Sequence, residues 1–127
     1  MSNCVIIAGS RGFTDYPMLC RWLDALHKIR PFDEVVSGGA RGADRMGEQW
    51  AKSRGVPVKR FLADWDRLGK RAGFARNAEM AEYANGLVAF WDSTSPGTRD
   101  MIVRMHYKIG SNVWLKVVDI KDQEPAP

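Results

Sequence analysis

Cysteine and histidine are scarce in this sequence, with two of each among 127 residues. Cys4 and Cys20 do not form a closely spaced set with histidines that could hold zinc, so no metal centre is expected. Both read as core thiols of a reducing compartment. His27 and His106 fall within helical patterns away from every loop, where an imidazole serves more readily as a surface or half-buried group than as an acid or base. No serine–histidine–acid ordering is present. No apolar run approaches membrane-spanning length, and the N-terminus has neither the charged nor the apolar region of a signal peptide. A cytoplasmic protein with no membrane partner is therefore expected. The formal charge is +4 and the pI is near 9.3, yet the lysines and arginines are scattered and form no basic run. That balance favours acidic ligands such as nucleotides and permits nucleic acid without requiring it. Internal repeats and low-complexity segments are absent as well.

What is present is an alternation of apolar runs and amphipathic stretches, fitting a single domain over residues 1–120 and a polar tail over 121–127. Cys4 to Ala8 is apolar throughout, as expected of a central strand covered on both faces of a parallel sheet. Thr14 or Asp15 then caps a helix that has Pro17 in its first turn. Leu19, Trp22, Leu23, Leu26 and Ile29 keep helical spacing, and Pro31 ends it. Glu34 to Ser37 is a second strand. Ala43, Met46, Gly47, Trp50 and Ala51 give a second helix, stopped by Gly55. Val56 to Phe61, with its proline, suits an edge strand. Leu62 to Arg71 shows no steady period and reads as a loop, either a ligand wall or a surface connection in which Trp65 covers the edge of the core. An alanine-rich helix follows from Gly73 to Ala84. Gly86 to Trp91 is a fourth strand. A further helix carries Met101, Ile102, Met105 and Ile109 inward and ends at Gly110, and Val113 to Val118 is the last strand. Five strands alternating with four helices predict an α/β three-layer α/β/α sandwich on a mainly parallel sheet.

Three loops would open onto the carboxyl edge of such a sheet, where ligands bind. The first holds Gly9, Ser10 and Arg11. The second holds Gly38, Gly39, Arg41, Gly42 and, just inside its helix, Asp44. The third holds Ser95, Gly97 and Thr98. Arg76 and Asn77 lie close by, one turn into the alanine-rich helix. Glycine loops that lead into helices expose amide groups to phosphate or another anion, and arginines add bidentate contacts. The alternatives are structural: Ser10 as a helix cap, Asp44 as a dipole partner, Arg76 and Asn77 in surface pairing, and Ser95 and Thr98 as N-caps.

The ordered set Gly9-Ser10-Arg11, Ser37-Gly38-Gly39-Ala40-Arg41-Gly42-Ala43-Asp44, Phe74-Ala75-Arg76-Asn77 and Ser95-Pro96-Gly97-Thr98 resembles the SLOG superfamily. That superfamily joins the SMF/DprA proteins to the LOG phosphoribohydrolases. The chain looks most like its small YspA/YpsA-related branch, over about residues 4 to 118. The resemblance implies a Rossmann-like domain that takes a nucleotide or nucleotide-derived ligand, ADP-ribose-like ligands among them, for sensing, sequestering or processing, with no cofactor required. It also implies two alternatives, an N-glycosidase acting on nucleoside phosphates and a DprA-like binder of single-stranded DNA. Arg76, followed by Ala78 and Met80, matches the LOG helix pattern, so Arg76 is a candidate for phosphate or ribose contact. In LOG enzymes a catalytic glutamate stands three positions after the threonine of the later loop. Here that position is Met101, and Asp100 would point about 100° away around the helix. Arg76, Asp44 and Asp100 are the catalytic candidates, and any acid–base work would fall to Asp44, Glu48, Asp66, Asp92 or Asp100. The five tryptophans exceed what one small core needs, so a homo-oligomer is expected.

Overall fold

The computed structural model describes residues 2–120, and the polar tail expected over 121–127 lies outside them. β1 (Cys4–Gly9), β2 (Glu34–Ser37), β3 (Val58–Arg60), β4 (Gly86–Trp91) and β5 (Trp114–Asp119) form one sheet in the order β3-β2-β1-β4-β5. All four pairings are parallel, which makes this a Rossmann-like α/β fold. β1 sits at the centre, as its unbroken apolar run requires.

The two-residue alternation of the central strand sorts the core into two halves. Val5 and Ile7 face α1 (Tyr16–Ile29) and α2 (Ala43–Ser53), where they pack with Leu19, Leu23 and the fully buried Trp50. Ile6 and Ala8 point to the opposite face, against Met80 and Ala81 of α4 (Ala72–Tyr83) and Met101 and Met105 of α5 (Pro96–His106). The result is helix, sheet and helix in three layers. At the amino edge of the sheet the Asn3 carboxamide accepts from Asn85 Nδ2 (3.2 Å) and Trp114 Nε1 (2.9 Å), closing that end. The carboxyl edge is left open.

Asp15 caps α1 by accepting from Met18 N, one of the two residues expected there. Four sequence readings are corrected. Leu62 to Arg71 is not an irregular loop: it holds the single-turn α3 (Trp65–Leu68), capped by Asp64, and a 3-10 turn over Gly69–Arg71. Trp65 is 51% exposed and belongs to neither core cluster, so it does not cover the core edge. Ile109 is 97% exposed and not inward-facing, because α5 has already stopped at His106. Cys4 and Cys20 are half-buried at the margin of the core rather than within it.

Candidate functional site

Strand order reverses between β1 and β4, because the chain runs outward from β1 to β3 and then returns to place β4 on the other side of β1. Loops leaving neighbouring strands at such a point diverge and leave a crevice at the carboxyl edge. Here it is a cavity of about 490 Å³, lined by the β1 loop (Gly9, Ser10, Arg11, Gly12), by Ala40 and Asp44, by Arg76, Asn77 and Met80 of α4, and by Asp92, Ser95, Pro96, Gly97, Thr98 and Met101.

The three loops are fixed on one another by close backbone approach. Gly42 has a φ of +81°, and a Cβ there would lie 2.4 Å from the Ser10 carbonyl oxygen, so only glycine lets the second loop rest on the first. A Cβ at Gly9 would lie 2.4 Å from the Phe90 carbonyl oxygen. Ser10 N donates to that same carbonyl (3.1 Å), tying the first loop to β4. The Ser10 hydroxyl is buried. It accepts from Asp92 N (3.3 Å) and from Ser95 Oγ (3.0 Å), so it neither caps α1 nor points freely into the cavity.

Two helices present uncapped N-termini at this edge. Gly42 at the head of α2 has no side chain to offer, and Ser95 at the head of α5 turns its hydroxyl to Asp92 and Ser10 instead of to its own helix. Pro96 lacks an N–H, so Gly97 and Thr98 bring the first amide groups of α5 to the cavity wall. A Cβ at Gly97 would meet no atom within 4 Å, which shows how open the approach to that turn is.

Arg76 reaches from α4 to the glycine loop, where Nη1 donates to the Gly38 carbonyl (3.1 Å) while the buried Nε has no partner. Asp44 reaches the same glycine. A Cβ at Gly38 would lie 2.9 Å from both the Arg76 guanidinium and Asp44 Oδ2. The two side chains meet beside Gly38 without closing into an ion pair. Burial pushes the Asp44 carboxyl up to about 6, against the pull of the Arg76 charge and of the Ala40 amide, which donates to Oδ2 at 3.3 Å.

The remaining acids are committed to other tasks. Glu48 accepts from Ser37 Oγ (2.6 Å) and pairs with Arg60, and Ser37 Oγ in turn accepts from Gly39 N (3.0 Å), so this chain of contacts shapes the glycine loop. Asp66 lies exposed on α3, outside the cavity lining. Asp92 lines the cavity. Burial alone would raise its carboxyl, but hydrogen bonds from Thr94 and Ser95 outweigh that and hold it well below the usual carboxylate range. Asp100 accepts from Asn77 Nδ2 (3.0 Å) and pairs with Arg104 (2.8 Å). Asn77 Nδ2 also donates to the Gly97 carbonyl (3.1 Å), which makes Asn77 a tether between α4 and α5.

Of the residues expected at the site, Gly9, Ser10, Arg11, Asp44, Arg76, Asn77, Ser95, Gly97 and Thr98 come together around the cavity. Gly38, Gly39 and Arg41 line an adjoining cleft of about 520 Å³ with Arg45, Leu62, Ala63 and Trp65, while Arg11, Ala40 and Arg76 border both spaces. Gly42 lines neither and serves the loop packing. Sequence reasoning missed Gly12, Met80 and Pro96 as wall residues. Pro96 had a readable signal, since proline at a first helical position marks where the amides of the next residues begin.

The profile of the YspA, cpYpsA-related SLOG family matches residues 4–68 of this chain, the stretch that carries the first two loops. The chain belongs to this SLOG family. It is also similar to the Gene 61 protein of Mycobacterium phage D29, with 41% identity over 102 residues that span 75% of this chain and 82% of that protein. No solved structure matches it significantly. Membership of the SLOG family suggests binding or processing of a nucleotide-related ligand. Met101, which stands where LOG enzymes have their glutamate, is buried and offers the cavity only a thioether surface. Among the described residues, no helix is long and apolar enough to cross a membrane.

Proposed function

We propose that this SLOG-family chain binds a nucleotide, or a ligand derived from one, through phosphate and ribose. The observation that carries the reading is the convergence, on one cavity, of the uncapped α5 N-terminus with the partnerless Nε of Arg76. A phosphoryl group at the first turn of α5 would accept from the Gly97 and Thr98 amides and gain from the helix dipole. Arg76 would supply the counter-charge, and its buried Nε would gain the hydrogen bond it lacks. Asp44, beside Arg76 at Gly38, would accept from a ribose hydroxyl. Arg11 at the cavity mouth would neutralise further negative charge.

A second reading, hydrolysis of an N-glycosidic bond, is favoured by one observation: Asp44, a carboxyl in the cavity wall, is buried, and burial pushes it up to about 6. A carboxyl tuned toward neutrality suits general acid or base work. With Met101 in the glutamate position, that work would fall to Asp44.

Native mass spectrometry of the purified chain with a pool of nucleoside monophosphates, ADP-ribose, cyclic nucleotides and NAD tests both readings. A retained, unchanged nucleotide supports binding. Free base with a sugar phosphate, lost on Asp44→Asn, supports hydrolysis. A pool that is neither bound nor changed rejects both.

A further inference from the structure

The cleft beside the nucleotide cavity has a different chemistry. The cavity mixes Arg11 and Arg76 with Asp44 and Asp92, whereas the second cleft is bordered by Arg11, Arg41, Arg45 and Arg76 with no carboxylate in its wall. Among the described residues none of these four arginines forms an ion pair with a carboxylate, in contrast to Arg54, Arg60, Arg67 and Arg104. Of the acids nearby, Glu48 is engaged with Arg60 and Ser37, and Asp64 with Arg67 and the head of α3, while Asp66 lies exposed on α3 outside the wall. Trp65 stands in the same wall. Its indole edge lies against Gly73, where a Cβ would be 3.5 Å from Cη2, and half of its surface remains exposed. No apolar cluster of the fold uses it.

Resting on the nucleotide reading above, we propose that this cleft is a second anion subsite with an aromatic wall. The ligand it completes is a nucleotide carrying phosphoryl groups on both sides of its nucleoside. One phosphoryl group sits at the head of α5. The other lies among Arg41 and Arg45, with a base or sugar face against Trp65. Arg11 and Arg76 border both spaces, so the nucleoside between the phosphoryl groups passes beside them. A free bisphosphorylated nucleotide and the end of a single strand share this chemistry. The free nucleotide is the assignment made here, since the wall that would grip it is one indole and not the row of aromatic platforms on which a strand stacks.

The test is calorimetry on the full chain with AMP, GMP and UMP beside the matching nucleoside 3′,5′-bisphosphates and a ten-nucleotide single strand. The variants are Trp65→Ala, Trp65→Phe and Arg45→Ala, with circular dichroism confirming that each folds. The best bisphosphate is expected to bind about tenfold tighter than its monophosphate, and Trp65→Ala or Arg45→Ala to remove most of that gain while monophosphate affinity stays within about twofold. Trp65→Phe keeps a stacking face and retains much of the gain. Equal affinity for mono- and bisphosphate, or parallel losses for both in the variants, overturns the subsite and leaves nucleotide binding in place. A strand that binds tighter than every bisphosphate overturns the free-nucleotide assignment. If no mononucleotide binds in either form, the subsite falls, while the nucleotide reading stands or falls on the pool experiment above.

Discussion

Ser95 Oγ donates to Ser10 Oγ at 3.0 Å, joining residues 85 positions apart and holding the loop after β4 against the loop after β1. Both hydroxyls are therefore occupied at the one place where a glance at the sequence would offer them to a ligand. Their role is to fix the mouth of the cavity, and it is open to measurement. Ser10→Ala and Ser95→Ala each remove one partner of a partly buried pair, at about 1 kcal/mol or somewhat more. A double-mutant cycle in urea should give a coupling of about 0.5–1.5 kcal/mol. Strict additivity would mean that the two loops are held apart from this bond.

Asp44 sets a pH dependence opposite in sign to that of most acids. Its folded value is about 6 against an ordinary 3.8, so between those values the folded chain binds more protons than the unfolded one. Stability from this group is present below the ordinary value and is lost as pH rises through about 6. The loss is on the order of 2–3 kcal/mol, at about 1.4 kcal/mol per unit. Urea unfolding at intervals from pH 4 to 7 should show this fall in the wild type and a flatter profile in Asp44→Asn. Asp92, held low, acts in a different window, since its contribution is lost only as pH falls below the ordinary carboxylate value. The two effects therefore separate along the pH axis.

Gly97 distinguishes a ligand-facing glycine from a structural one. A carboxylate in the first turn of a helix is favoured by the dipole, by about 0.3–1 kcal/mol, and a Cβ at this position meets nothing. Gly97→Asp should therefore leave the melting temperature unchanged or slightly raised. The same carboxylate would occupy and repel the site of the phosphoryl group, and nucleotide binding should disappear in calorimetry. Undiminished affinity would move the phosphate away from α5.

Arg76 should not tolerate its nearest chemical substitute. Lysine keeps the charge but cannot donate to the Gly38 carbonyl and to a phosphoryl oxygen with a planar fork. Arg76→Lys should weaken nucleotide binding by about 10- to 100-fold, the equivalent of about 1.5–3 kcal/mol for a lost charge-assisted bond. Near-native affinity in this variant would mean that Arg76 only shapes the loop.

The sequence by itself determined the order of the elements, the parallel sheet and the edge at which three small polar loops emerge. Each of these is written locally. The apolar run from Cys4 to Ala8 marks a strand buried on both faces, Glu34 to Ser37 and Gly86 to Trp91 carry the next marks, and helical spacing fills the intervals. A family resemblance legible in those loops pointed the same way. Only the tertiary structure decided what the loop residues do. Ser10 and Ser95 spend their hydroxyls on each other, Asn77 ties α4 to α5, Gly42 packs against Ser10, and Arg41 turns to the second cleft. Contacts between segments tens of residues apart leave no periodic trace along the chain. A four-residue helix such as Trp65–Leu68 is too short to show a period at all. The burial that lifts Asp44 arises only once a strand, a glycine loop and α4 have closed around one carboxylate.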